Sequence, residues 1–214
     1  MILFQVIIAV VVAYLIGSIP TSIWIGKLVY GIDIRKEGSG NAGTTNVIRV
    51  LGWKAGIPVL VFDILKGWVA VKLSYYFPGD LLSTAGMDYL RIALAIAAVI
   101  GHIFPVYENL KGGKGVATLL GVGIALYGYS VLYAIGLFIA ILLIFRYVSL
   151  ASILSAVAFP FIVIFIDGID SLPMIILAIA IAVFISFTHR RNIVRLIKGD
   201  ELKFSFKKKS KTNS

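Results

Sequence analysis

The sequence predicts an all-α integral membrane protein with about seven transmembrane helices, the N-terminus outside and the C-terminus cytoplasmic. Three observations carry this reading. The 214-residue chain is 60% hydrophobic, with a mean hydropathy of +1.01 and only 14% charged residues, too little polar surface for a soluble domain of that length. Its apolar residues fall in runs approaching the ~20 residues that cross a hydrocarbon core. Its Lys and Arg collect in the links between those runs, the pattern of cytoplasmic loops.

A retained first helix is expected over 2–29, because no basic residue precedes the apolar run and the run continues past Gly17 to Ile25. The second and third spans, 55–77 and 89–104, are bounded by Pro78-Gly79 and by Pro105. Two shorter spans, 115–127 and 130–145, are divided at Tyr127-Gly128-Tyr129-Ser130, read as an interfacial turn with aromatic anchors. The last two, 148–166 and 172–188, are separated by Asp167-Gly168-Ile169-Asp170-Ser171-Leu172-Pro173. Lys27, Arg35, Lys36, Arg49, Lys54, Lys111, Lys114 and Arg146, with nine more after His189, put 17 of the 20 basic residues on one side. The other side holds Asp80, Asp88, Asp167 and Asp170 against Arg91 and Lys72. The first side is therefore cytoplasmic. One membrane domain is expected over 1–202, followed by a basic cytoplasmic tail, 203–214, attracted to anionic headgroups.

Three polar stretches interrupt the apolar chain and open on that cytoplasmic side. The first is Gly38-Ser39-Gly40-Asn41-Ala42-Gly43-Thr44-Thr45-Asn46, leading to Arg49. Its glycines let backbone N–H groups approach a ligand, and its Ser, Asn and Thr side chains add donors. Asn46-Val47-Ile48-Arg49 reads as a helix start, where an anion is favoured, and an Arg fork suits phosphate. It is no Walker loop, since GxxxxGK[ST] is absent. The second stretch, Lys111-Gly112-Gly113-Lys114-Gly115, also feeds a helix, and Lys114 at its start opposes the dipole unless an anion is present. The third begins His189-Arg190-Arg191-Asn192-Ile193. Continued helical geometry would put His189, Asn192 and Ile193 on one face, with Arg190 and Arg191 at the lipid headgroups.

Composition excludes other chemistries. There is no Cys, so neither a disulfide nor a thiol nucleophile exists, and two histidines without an HExxH pattern make no metal centre. Neither a metal nor a cofactor is expected. The net charge of +10 lies in short membrane loops and the tail, which argues against nucleic acid as a partner. Asp63 and Lys66, three apart on one predicted helix, read as an intramembrane ion pair. His102 reads as a hydrogen-bonded structural residue, and Ser149 and Ser152 open the sixth span on the cytoplasmic side.

These residues resemble a known family. GSGNAGTTN with Arg49, FDILKG at 62–67, GHIFPVYENLKGGKGVAT at 101–118, RYVSLAS at 146–152 and HRRNIVRLIKGDE at 189–201 are similar, in order, to bacterial acyl-phosphate:glycerol-3-phosphate acyltransferases. The resemblance runs from Gly17 to Glu201, and departs where Thr44 and Leu110 stand for the usual Ala and Phe. It implies a seven-helix enzyme of the bacterial inner membrane, its site facing the cytoplasm. It implies transfer of a fatty acyl group from acyl phosphate to the sn-1 hydroxyl of glycerol 3-phosphate, giving lysophosphatidic acid and phosphate. The partners implied are those two substrates and membrane lipid. No feature speaks for or against association with other enzymes of phospholipid synthesis.

The positions matching family active-site residues are Ser39, Arg49, Lys114, Ser152, His189 and Asn192. Those matching phosphate-binding loops are Gly38, Gly40, Asn41, Gly43, Thr45, Asn46, Gly112, Gly113 and Gly115. The HxxxxD acyltransferase motif is absent, because Tyr107 and Val194 stand where its Asp would. The base is left open between His189, a substrate phosphate and water. The rival function is an organic-phosphate transporter, for which duplicated halves and broken helices at the midplane would be expected.

Overall fold

The computed structural model describes residues 2–77 and 83–205. Pro78, Gly79 and Asp80, and the lysine run of the tail, lie outside the described residues. Every predicted span is helical along most of its length, as a backbone in hydrocarbon must be. The chain enters as α1 (Ile2–Gly17), then α2 (Thr21–Trp24), which loosens into a π-helical turn over Ile25–Val29. A loop carrying the 3₁₀ turn Ile34–Lys36 leads to α3 (Thr44–Leu51) and, across Gly52, to α4 (Trp53–Lys72). After α5 (Thr84–Ile103) come α6 (Val116–Tyr127), α7 (Ser130–Phe145) and α8 (Val148–Phe161). The chain closes with α9 (Leu172–Thr188) and α10 (Arg190–Lys198).

Local chemistry sets the boundaries. Ser83 Oγ accepts from the Gly86 N–H at 3.1 Å and caps α5. Pro173 occupies the first turn of α9, where no N–H is needed. Gly199 ends α10 in the left-handed region. Pro160 removes a backbone bond within α8, which passes into a π-helical turn over Ile162–Ile166.

Seven helical segments do not make seven spans by length and composition. Among the described residues, three helices meet that test: Ile2–Val29, Thr84–Glu108 and Val148–Ile166. A fourth does so if Leu172–Thr188 and Arg190–Lys198, bent by 58°, are taken together. The reasons are physical. α4 carries Lys54, Asp63, Lys66 and Lys72 among its apolar residues. α6 has only 12 residues, ~18 Å of helix against a hydrocarbon core of ~30 Å.

Close helix contacts rest on small residues. α1 packs on α5, where a Cβ on Gly17 would collide with the Ala98 carbonyl and one on Gly101 with the Tyr14 carbonyl. α4 packs on α6, where a Cβ on Gly67 would strike the Thr118 carbonyl and one on Gly121 the Ile64 carbonyl. Dispersion at such approach distances drives association where no water is expelled. α7, α8 and α9 pack around Val131, Phe159, Val163, Leu177 and Ala178. Leu3, Leu143, Ile144, Phe165 and Val183 stay exposed, suited to a lipid surrounding. Tyr127 is not the interfacial anchor expected from its position before Gly128. It is buried, donates from its hydroxyl to the Met174 carbonyl at 2.8 Å and meets Phe159 edge-on. Tyr129 takes the exposed place.

Candidate active site

Two polar loops are held in shape by the protein's own hydrogen bonds. Buried Asn46 spends its whole amide on the first of them. Its Nδ2 donates to the carbonyls of Ile34 (3.0 Å) and Glu37 (2.9 Å), and its Oδ1 accepts from the Ser39 N–H at 2.8 Å. Asn46 therefore shapes the loop, and its amide has no donor to spare for phosphate. Gly38 also serves the loop: its φ of +60° favours glycine, a Cβ would collide with Asn46, and it is not among the residues lining the cleft described below.

The second loop is tied to the first by charge. Arg35 Nη2 pairs with Asp33 at 2.7 Å and Glu108 at 3.2 Å, and Arg35 Nη1 donates to the Lys111 carbonyl at 3.3 Å. Lys27 joins Glu108 at 2.8 Å. Hydrogen bonding from Arg35 holds the Asp33 carboxyl down to about 2. Gly112 and Gly113 run against His102 so closely that a Cβ on either would collide with it. His102 is held in turn by Thr118 at 3.2 Å, the structural role read from the sequence. Beside it Lys66 pairs with Asp63 at 2.9 Å and donates to the Ile19 carbonyl, while Thr21 donates to Asp63 at 2.7 Å. This ion pair matches the expected one, and it is buried with its hydrogen bonds satisfied.

The loops frame one cleft of about 1030 Å³. Ser39, Arg49, Lys114, Ser152, His189 and Asn192 all line it, as do Gly40, Asn41, Gly43, Thr45, Asn46, Gly112, Gly113 and Gly115. Three stretches far apart in sequence thus meet at one mouth. Below it the walls turn apolar, with Leu120, Val131, Ile135, Phe138 and Phe159 between α6, α7 and α8.

The cations at the mouth differ in how they are held. Arg49 is half-buried, and burial lowers its pKa without discharging a guanidinium. Lys114 donates to Asn192 Oδ1. Burial lowers its pKa to about 8, with Glu201 opposing and Arg195 assisting. Glu201 is the organiser that the sequence reading left unassigned. Asn192 Nδ2 and Ser149 Oγ donate to its Oε1 at 2.6 and 2.7 Å, and Arg195 Nε to its Oε2 at 2.7 Å. Burial raises the Glu201 pKa, but the bonds from Arg195, Asn192 and Ser149 outweigh it and leave the carboxyl below its ordinary value. The available signal was the Asp200-Glu201 pair closing a strongly basic stretch.

His189 and Asn192 do not share one continuous helix. The chain bends at His189, between α9 and α10, yet both side chains are buried in the cleft wall. His189 Nδ1 lies 2.9 Å from the Ile185 carbonyl. A carbonyl only accepts, so Nδ1 carries the proton of the neutral ring and Nε2 is its acceptor. Arg190 and Arg191 are exposed at the rim, and Arg190 lies over the Phe187 ring at 4.7 Å. Ser152 donates back to the Val148 carbonyl at 2.9 Å. Beyond the expected boundary at 202/203 the chain stays packed: Phe204 is buried, meets Trp53 edge-on and donates its N–H to the Arg146 carbonyl. Among the described residues no group of His, Asp and Glu is placed to hold a metal.

A cation-lined mouth framed by glycine loops, opening into an apolar slot within a helical membrane domain, suits substrates that carry phosphate at one end and hydrocarbon at the other. Residues 7–199 match the family model described as glycerol-3-phosphate acyltransferase, and the chain belongs to that family. It is 47% identical to a glycerol-3-phosphate acyltransferase of Chlorobaculum tepidum, over 94% of this chain and 97% of that one. It is 42% identical to one of Chlorobium limicola, over 93% and 96%. Among solved structures it is similar to PlsY (YgiH), an integral membrane glycerol 3-phosphate acyltransferase. The glycerol 3-phosphate form superposes with a TM-score of 0.83 at 39% identity, covering 94% of this chain and 96% of that one. The lysophosphatidic acid form does so with a TM-score of 0.80, covering 94% and 95%.

Proposed function

We propose that this glycerol-3-phosphate acyltransferase takes its acyl group from acyl phosphate and places it on the sn-1 hydroxyl, releasing lysophosphatidic acid and inorganic phosphate. It works at the cytoplasmic face of a bacterial inner membrane, which its helical segments cross about seven times with the N-terminus outside. The observation that carries this reading is the joining of Arg49, Lys114, His189 and Asn192 at the polar end of a slot whose other end is hydrocarbon-like. Both substrates bear phosphate and one bears a long chain, so such a cleft suits the pair.

The chemistry asks little beyond placement and charge. An acyl phosphate is a mixed anhydride with a good leaving group. The hydroxyl oxygen bonds to the carbonyl carbon, the bond from that carbon to the phosphate oxygen breaks, and the hydroxyl proton leaves on the released phosphate. Arg49 and Lys114 neutralise phosphate charge, while Gly40, Gly43, Gly112 and Gly113 give their N–H groups to loop carbonyls and so fix the shape of the cradle. His189 Nε2 accepts from the acceptor hydroxyl and aims it. Glu201 holds Asn192, and through it Lys114, in position. The slot takes the acyl chain, worth ~0.8 kcal/mol per buried methylene.

Purified protein supplied with glycerol 3-phosphate and, separately, palmitoyl phosphate, palmitoyl-CoA and palmitoyl-acyl carrier protein tests the donor. Lysophosphatidic acid is expected from palmitoyl phosphate alone. Its formation from either thioester, with palmitoyl phosphate inert, overturns the reading.

A further inference from the structure

Ser149, Ser152 and Ser155 recur every third residue along α8, and all three line the cleft. They share one face of the helix, each ~4.5 Å deeper than the last. Their hydroxyls are spent differently. Ser149 donates to Glu201 at 2.7 Å, and Ser152 donates to the carbonyl four residues back at 2.9 Å. Ser155, the deepest, is only 7% exposed and its Oγ bonds to no protein group. Helical serines ordinarily relieve this cost by bonding to the carbonyl four residues back. Ser152 does so here, and so does Ser186, to Ala182 at 2.8 Å. An unsatisfied buried hydroxyl costs ~1–3 kcal/mol, so a free one in a cleft wall is informative.

Its surroundings narrow the ligand group it can serve. Ser155 lies on α8 between Ser152 and Phe159, where the wall changes character, and Ala156, Ile181 and Ile185 also line the cleft. The neighbouring serines are already engaged, and the cations lie at the mouth. Between the phosphate and the hydrocarbon of an acyl phosphate there is one polar acceptor, the carbonyl oxygen. That oxygen gains negative charge as the hydroxyl adds, and loses it when phosphate leaves. A donor at this depth is worth most at that moment, between apolar walls.

We propose that Ser155 is a catalytic residue whose hydroxyl donates to the acyl carbonyl oxygen at the junction of the polar mouth and the apolar slot, and so stabilises the developing oxyanion. This rests on the reading of acyl phosphate as donor.

The test pairs kinetics with two inert donor analogues of equal chain length. One is a β-ketophosphonate, which keeps the carbonyl, and the other is an alkylphosphonate, which lacks it. Ser155→Ala removes the hydroxyl. Ser155→Thr and Ser155→Val have the same shape and differ only in keeping or losing it, which separates the hydrogen bond from packing. Expected are a loss of roughly 10²-fold in kcat for the Ala variant, greater activity for Thr than for Val, and wild-type preference for the β-ketophosphonate abolished in Ala and Val. The unfolding temperature of the Ala variant is expected to be no lower than wild type, since no protein bond is lost. Wild-type kcat in Ser155→Ala, or equal weakening of both phosphonates, overturns the assignment while leaving the donor reading intact. A wild-type enzyme that neither consumes acyl phosphate nor binds either phosphonate overturns both.

Discussion

Lys114 sits just before α6, and burial brings its pKa to about 8. A lysine so depressed is charged below that value and neutral above it. On the proposed function this charge meets a phosphate dianion, so kcat/KM for glycerol 3-phosphate in the free enzyme should fall as pH rises through about 8. Lys114→Arg, which cannot lose its proton, should remove that alkaline limb. A limb unchanged in the Arg variant would assign it to another group. Lys114→Ala and Arg49→Ala should each cost ~1.5–3 kcal/mol of charge-assisted bonding, roughly tenfold or more in rate. Steady-state kinetics on detergent-purified, folded variants measure it, and near-normal values in both would sink the phosphate cradle. Glu201→Gln should raise the KM for glycerol 3-phosphate, because it loosens the carboxylate that Asn192, Ser149 and Arg195 grip. An unaltered KM would mean that these side chains hold their places without it.

Elements meet at the carbonyls of one another's backbones. Gly67 and Gly121 let α4 and α6 approach until each would collide with a methyl group on the other. Gly67→Ala and Gly121→Ala should each lower stability by ~1–3 kcal/mol, the scale of overpacking in a tight interface. Gly136 on α7 has nothing within 4 Å of its missing Cβ, and alanine there should be neutral or stabilising, by up to ~1 kcal/mol. Thermal unfolding in detergent compares the three, and equal shifts at all of them would show that the α4–α6 approach is not limiting. The same logic explains the glycine loop at 112–113, which lies flat against His102 and donates its N–H groups to the Ile103 and His102 carbonyls.

For the whole molecule, the gathering of three loops at one mouth makes a statement about sidedness. Single cysteines replacing Glu37 and Asn109, in a chain with none of its own, should react with an impermeant thiol reagent only from the cytoplasmic side. Reaction of both from outside would invert the topology. Activity should survive chelation of divalent metal, since placement and fixed cations suffice for the reaction. A loss reversed by one particular metal would mean that carboxylates such as Asp63 had been misassigned.

Periodicity and composition alone determined the helical membrane class, the boundaries of 130–145 and 172–188, and the stretches that line the cleft. Those properties depend on the medium each residue prefers, which is written along the chain one residue at a time. The five ordered motifs likewise carried the family resemblance through to Glu201. Other features depend on pairs of distant residues, and only tertiary structure decided them. Asn46 looked like a phosphate donor until its amide met the Ile34 and Glu37 carbonyls. Tyr127 looked like an interfacial anchor until α9 offered it the Met174 carbonyl. Glu201 and Glu108 had no role in the sequence beyond their motifs until the fold brought arginines to them. His189 and Asn192 reach one cleft across a bend rather than along one helix. Ser155 was one more small residue in an apolar run until the fold left its buried hydroxyl unbonded in the cleft wall. A side chain's role depends on which partners reach it and which of its bonds are already spent, and packing alone decides both.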